Sequence, residues 1–146
     1  MAITQAIANS FKKELLEGEH NFKSSGGDKF KIALYTSSAT LNSATTAFTA
    51  TGEVSNTGQY TSGGGALTNS GTSIIAGVAR VDFADRSFTG VTLTARGALI
   101  YNTSATATNA AVCALDFGAD KTATSGVFTI QFPAATSTAA ILRISG

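Results

Sequence analysis

Residues 87–120 read SFTGVTLTARGALIYNTSATATNAAVCALDFGAD, and the predicted architecture of the chain follows from this stretch. Two apolar, β-rich runs, at 91–101 and 111–117, flank a loop of Thr, Ser, Ala and Asn. Runs of this length bounded by turn residues predict two buried neighbouring strands of an antiparallel hairpin. Gly97 interrupts the first run, which predicts a β-bulge and a shift of register before residues 99–101.

Shorter alternating runs predict further strands on both sides of this hairpin. Residues 30–35 alternate in a way that predicts a strand with one buried face. Residues 73–83 predict one strand, or two strands joined at Gly77, and residues 128–132 and 140–144 predict two more. Several short strands separated by turn residues predict a mainly β fold, an antiparallel β-sandwich or barrel-like domain.

One amphipathic α-helix is predicted at the N-terminus, over residues 1–19. Ile3, Ile7 and Phe11 recur every four residues, and Leu15 continues the same apolar stripe. A single helix beside many strands must dock this stripe, either on the sheet of its own chain or on a neighbouring subunit.

A single domain over residues 1–146 is expected, because this length supports one hydrophobic core and would crowd two. The β-sandwich is assigned to residues 29–146 and carries a long loop at 36–71, where apolar residues are too widely spaced to define regular elements. Irregular segments of this length are typically functional loops or arms. This loop is therefore the first candidate for a contact surface.

The composition favours a protein that works in an assembly. Charged residues make up 13% of the chain, which is about half of the usual share, and the net charge is +1. A plain soluble β domain with a neutral hydroxyl surface is the alternative. No broad basic field is available for phosphate backbones, so nucleic acid is not expected as a partner. The sequence contains no apolar run long enough for a membrane span and no signal-peptide pattern, which predicts a protein made in the cytoplasm without a membrane partner.

Candidate chemical groups are few, and each has a structural interpretation. His20 follows the predicted helix, where a solvated histidine near the helix C-terminus is expected in preference to a general base. Residues 116–118 spell the Asp-Phe-Gly tripeptide of protein kinases without the other kinase motifs, so a strand ending at Phe117 and a turn through Gly118 are expected instead. The lone Cys113 lies in an apolar run and is expected to be a buried, inert thiol.

Two acidic pairs offer carboxylates for a Ca²⁺ ion, Asp82 with Asp85 and Asp116 with Asp120. Neither pair has the loop spacing of a known calcium motif, and nearby arginines such as Arg96 offer simpler ion-pair partners. The sequence therefore predicts no catalytic residue, no metal site and no cofactor, and it favours a structural protein over an enzyme.

The candidate interface residues come from the helix stripe, which must dock, and from the long loop, since aromatic residues are enriched where subunits meet. These residues are Ile3, Ile7, Phe11, Leu41, Phe48 and Tyr60.

Four blocks of the sequence carry a family resemblance: MAITQAIANSFKKELLEG, FKIALYTSSATL, ARGALIYN and ALDFGADKTATSGVFTIQFPA. Together they resemble a family of small virion structural proteins of tailed bacteriophages, including phages of cyanobacteria and other aquatic bacteria. The resemblance extends over nearly the whole chain, from Ala2 to about Ile144. It implies a capsid decoration or cement protein, located in the virion after synthesis in the host cytoplasm. The implied partners are the major capsid protein and copies of the chain itself, as a dimer or trimer.

Two other functions compete with this expectation. A tail or head–tail connector component would use the N-terminal helix as a docking element in a ring. A carbohydrate- or host-surface-binding module on a β-sandwich would need exposed aromatic platforms or a calcium-assisted loop, and the absence of tryptophan weakens that interpretation.

Overall fold

Two antiparallel sheets and one short helix make up the part of the chain, residues 2–134 and 139–145, that the computed structural model describes. The strands are Ala6–Ile7 (β1), Phe30–Tyr35 (β2), Gly65–Ala66 (β3), Asn69–Ile75 (β4), Val78–Phe83 (β5), Arg86–Asn102 (β6), Ala110–Ile130 (β7) and Leu142–Ile144 (β8). The helix is Asn9–Leu16 (α1). One sheet has the order β1-β7-β6-β2-β3 and the other has the order β4-β5-β8. The predicted mainly β class, with antiparallel sheets and an N-terminal helix, is confirmed, and the arrangement is consistent with a β-sandwich.

The long hairpin of β6 and β7 is the centre of the first sheet, as the sequence predicted. Ala95 pairs with Lys121 while Gly97 pairs with Asp116, so a two-residue step in β6 faces a five-residue step in β7. This confirms the predicted shift of register at Gly97. The prediction that the second strand ends at Phe117 is wrong, because β7 passes through this bulge and stays paired with β6 to Ile130.

The hairpin turns through a corner that begins at this bulge and continues through further register shifts between Phe88 and Leu93. The rings of Phe117 and Phe128 lie 6.1 Å apart, although a straight strand would separate these residues by roughly 36 Å. Gly97 occupies the inside of the corner, where an added Cβ would stand 2.4 Å from the Leu115 carbonyl oxygen and 2.9 Å from Ile3 side-chain carbons. The corner therefore brings the distal half of the hairpin back over the sheet and depends on a residue without a side chain.

Strand β2 is buried on both faces, which corrects the prediction of one buried face. Phe30, on one face, stacks on Phe22 at 4.6 Å and meets Phe83 of the second sheet at 5.6 Å. Ala33 and Tyr35 on the opposite face are also fully buried. Both faces are covered because the second sheet packs on one side and the long loop packs on the other.

The loop predicted over residues 36–71 is shorter than expected and is part of the core. Its last residues enter β3 and β4, and its remainder lies on the Tyr35 face of the sheet. The Tyr60 hydroxyl accepts a hydrogen bond from the Leu34 N–H at 2.8 Å and donates one to Glu53 Oε2 at 2.7 Å. This segment therefore packs against one face of the sheet and does not extend from the domain as an arm.

The helix predicted over residues 1–19 is wrong in its first half. Ile3 forms a parallel bridge with Leu41, and β1 pairs with Ala114 and Cys113 at the edge of β7. Met1 lies outside the described residues. Backbone hydrogen bonds to existing strands replace those of a short helix, which would be marginal on its own.

The second sheet contains a tight hairpin of β4 and β5, with β8 added on the far side of β5. Ile75 pairs with Val78 across a two-residue turn at Ala76 and Gly77, which confirms the predicted pair of strands joined at Gly77. Both turn residues have positive φ, 52° and 77°, as a type I′ turn requires.

Candidate functional site

The histidine predicted to be solvated is instead 7% exposed and lies in a buried polar network. His20 Nε2 is 2.9 Å from Glu14 Oε1, and His20 Nδ1 is 2.9 Å from Asn102 Nδ2. The same Asn102 amide donates to Asp28 Oδ2 at 2.8 Å, and its oxygen accepts the Ser104 N–H at 2.8 Å. Asn102 Nδ2 is a donor, so His20 Nδ1 accepts and Nε2 holds the proton. The network ties the end of the helix to the end of β6, which is a structural role.

All three tyrosines are buried in the core, and burial raises the pKa of each hydroxyl. For Tyr101 the pKa is raised to about 12. Buried phenols offer no exposed ring to a sugar, so the three tyrosines do not supply the exposed aromatic platform that a carbohydrate-binding module would need. Cys113 is buried as predicted, and burial raises the pKa of its thiol to about 12, which keeps it protonated and unreactive.

Neighbours in the chain hold three of the carboxylates weighed as calcium ligands, and the first is Asp85, whose Oδ1 accepts the Phe132 N–H at 2.9 Å. Asp120 Oδ1 accepts a hydrogen bond from Arg96 Nε at 2.8 Å, which confirms the ion pair expected there. Asp116 accepts the Gly118 N–H at 2.9 Å. Across residues 2–134 and 139–145, no cluster of three or more His, Cys, Asp or Glu side chains is placed to hold a metal ion. Within the same ranges, no helix has the length and apolar character needed to cross a lipid bilayer.

The feature best suited to binding is an apolar groove of about 360 Å³ between α1 and the second sheet, called here the docking groove. Most of its lining is aliphatic or aromatic, and six side chains define it: Ile7, Phe11, Leu15, Val81, Leu142 and Ile144. Clefts lined in this way favour the apolar groups of a partner over a polar substrate.

The sheet side of the groove is built from two rows of side chains. Val81 pairs with Leu142, which is 7% exposed and belongs to the core. The next row on the same face joins Ile74, Ala79 and Ile144, which are cross-strand neighbours. This second row extends beyond the core, so Ile74 is 74% exposed and Ile144 is 61% exposed.

The row ends in the turn of the β4–β5 hairpin, called here the apolar tip and defined as residues 74–78. Its sequence is IIAGV, without a charged or hydrogen-bonding side chain. Ile75 in the tip is 48% exposed. Exposed aliphatic residues grouped beside an apolar groove are typical of interaction surfaces. The docking groove and the apolar tip together are the docking surface.

The structure separates the six residues predicted from the sequence to form an interface. Ile7 and Phe11 line the docking groove, where Ile7 is 37% exposed and Phe11, at 3%, belongs to the core beneath it. Ile3, Leu41 and Tyr60 are buried in the core and offer no surface to a partner. Phe48 is half-buried, with its ring 5.0 Å from Tyr101.

The sequence reasoning missed the sheet side of the surface, above all Ile74 and Ile144. One signal for it was present: the turn at 76–77 is flanked by apolar residues on both sides, where a solvated hairpin turn usually carries polar ones.

Comparisons of the chain with protein-family models, with curated protein sequences and with solved structures find no match.

Proposed function

We propose that this chain is a structural virion protein of a tailed bacteriophage, with capsid decoration as its role. It acts as a cement protein that stabilises the head shell through contacts with the major capsid protein and with copies of itself. The observation that carries this proposal is the open docking surface on a chain of unusually low charge. The resemblance of four sequence blocks to small phage virion proteins provides the biological setting.

The energy available at the docking surface suits repeated weak contacts. Full burial of an aliphatic side chain contributes about 1.5–3 kcal/mol. For Ile74 and Ile144, which are 74% and 61% exposed, this corresponds to about 2–4 kcal/mol per copy. Association of two proteins costs about 4–15 kcal/mol, so these two side chains alone do not hold a complex. A shell that presents many copies adds avidity and lets a modest contact suffice.

Low charge supports the same role. Each chain carries a net charge of +1, so neighbouring copies crowded on a shell repel each other little. The apolar tip carries no charged side chain, so a partner buries the tip without desolvating an ion, while Lys12, Arg80 and Arg143 are among the residues that line the docking groove.

The proposal is tested on purified phage particles. Quantitative gel analysis is expected to show this chain at a copy number comparable to that of the capsomers, with antibody labelling spread over the head. A copy number that fits a single ring, with labelling confined to the tail, would assign the chain to the tail or the head–tail connector instead. Absence from mature particles would refute a virion role altogether.

A matched pair of variants tests the surface itself. Ile144→Asp places a carboxylate in the docking groove and is expected to reduce incorporation into particles. Val127→Asp makes the same change at an aliphatic residue on β7 that is 58% exposed and lies outside the groove. Equal loss of incorporation in both variants would show that the docking surface is not the contact.

A further inference from the structure

We infer that two copies of this chain form a two-fold symmetric dimer in which the apolar tip of each copy enters the docking groove of the other. The inference specifies one partner within the proposed function, a second copy. Its test needs only the purified chain, so it stands or falls separately from the assignment to a virion.

The first argument is the position of the tip beside the groove. Ile74 pairs with Ala79, which pairs with Ile144, so the protruding residue and the groove residue lie in one row on one face. A projection next to a matching depression is self-complementary under a two-fold rotation, because each copy then gives and receives the same contact. The groove, at about 360 Å³, is large enough for aliphatic side chains of the tip.

The second argument is the residue at the turn. Ala76 has φ of 52°, in a left-handed conformation that favours Gly, Asn or Asp. Alanine gives this turn no polar side chain to stabilise it or to solvate it. An apolar residue at a position where turn chemistry favours a polar one is expected if the tip is covered by protein.

The third argument is size. A stable interface takes roughly 800 Å² from each partner. That is about one ninth of the 7235 Å² surface of the chain, and Ile7 of β1, which is 37% exposed, adds apolar surface to the groove on the side opposite the second sheet. The net charge of +1 per copy opposes this contact only weakly.

The competing surface for self-association is the outer edge of β7, and its geometry is less suitable. Beyond the corner, register shifts interrupt the hairpin, and Ser125 has φ of 44°. Bulges of this kind twist an edge away from regular pairing with another strand. Val127 lies on this edge and therefore distinguishes the two surfaces.

The test is sedimentation equilibrium of the purified full chain over a range of concentrations. The native chain is expected to dimerise, and Ile74→Lys is expected to weaken the dimer by about 10-fold or more, since it brings an ammonium group to a groove whose lining includes Lys12, Arg80 and Arg143. Val127→Lys is the control and is expected to leave the dimer unchanged. A native chain that stays monomeric, or equal loss in both variants, would overturn the inference.

A second variant excludes misfolding as the cause. Ala76→Asn suits the turn and is expected to raise the unfolding temperature of the diluted monomer by a few degrees while weakening the dimer. Disulfide formation between Ile74→Cys and Leu15→Cys chains, mixed and mildly oxidised, is expected to give a crossed dimer. Failure of this pair to crosslink while Val127→Cys chains crosslink to each other would move the interface to β7.

Discussion

Among single residues, the buried polar side chains contribute most to the uniqueness of this core. Asn102 is fully buried at the end of β6, and its amide joins His20, Asp28 and the loop that follows the strand. Each hydrogen bond has a fixed direction, because Asn102 donates through nitrogen and accepts through oxygen. Turning the amide over would place its oxygen against the Asp28 carboxylate, so the network has one stable arrangement.

Asn102→Leu is expected to lower the free energy of unfolding by about 2–4 kcal/mol, since it leaves His20 Nδ1 and the Ser104 N–H without their partner. Urea denaturation followed by circular dichroism measures the change. Asn9→Ala removes an exposed amide that accepts one hydrogen bond from Lys12, and it is expected to change stability by no more than about 0.5 kcal/mol. Similar losses in the two variants would show that the buried network contributes no more to stability than one exposed hydrogen bond.

The role of His20 could not be found from the sequence. Its position after the helix gave a correct local setting, but its partner Asn102 lies 82 residues further along the chain. Nothing local distinguishes a histidine that meets such a partner from one that faces solvent. The buried thiol of Cys113 was predicted correctly because its apolar neighbours in the sequence are also its surroundings in the fold.

Among secondary-structure elements, the corner of the β6–β7 hairpin determines how the two layers meet. The extra residues in β7 opposite Gly97 bend the hairpin, and the missing side chain lets the Leu115 carbonyl and Ile3 approach. The crowding at Gly97 comes from backbone of the facing strand, which cannot move aside as the end of a flexible side chain can.

Gly97→Ala is therefore expected to destabilise the fold by about 2–4 kcal/mol, through overpacking at the corner. Gly126 lies in the same hairpin, and a Cβ there would stand 3.4 Å from the nearest atom, the Thr124 carbonyl oxygen. Gly126→Ala is expected to change stability by no more than about 1 kcal/mol. Thermal unfolding of both variants measures the difference, and equal melting temperatures would argue against crowding at the corner.

The elements show which predictions from sequence succeed. The hairpin and the break at Gly97 were predicted because their signals, alternation and an isolated glycine, are local. The start of the helix was predicted wrongly because a spacing of four residues at Ile3 and Ile7 also fits a chain that pairs with strands. The Thr4 N–H donates a hydrogen bond to the Leu41 carbonyl at 2.8 Å, and no pattern within the first residues predicts that contact.

For the molecule as a whole, the docking surface follows from topology that local patterns do not contain. Its helix side comes from the N-terminal stripe, which the sequence did identify as an interface candidate. Its sheet side comes from β5 and β8, two strands far apart in the chain that pair directly. Ile74 and Ile144 are exposed because the second sheet extends past the core that it covers.

The same core contains every tyrosine of the chain, so the free energy of unfolding is expected to vary with pH in the alkaline range. Burial raises the pKa of Tyr101 from 10.0 to about 12 and that of Cys113 from 9.0 to about 12. Burial also raises the pKa of Tyr35 and Tyr60 above the ordinary value of 10.0. The folded chain therefore keeps protons that the unfolded chain releases, so the stabilising effect is complete below about pH 9 and is lost as the pH rises toward 12.

The expected result is a free energy of unfolding that falls between pH 9 and 12, by about 1.4 kcal/mol per pH unit for each group that differs in protonation. Near-ultraviolet absorbance of tyrosinate measures ionisation, and urea titrations at each pH measure stability. Tyr101→Phe removes one of the four groups and is expected to make the fall less steep. Formation of tyrosinate near pH 10, while circular dichroism still shows a folded sheet, would contradict the burial of these hydroxyls. Burial disfavours the charged phenolate, so the folded chain is expected to keep these protons above pH 10.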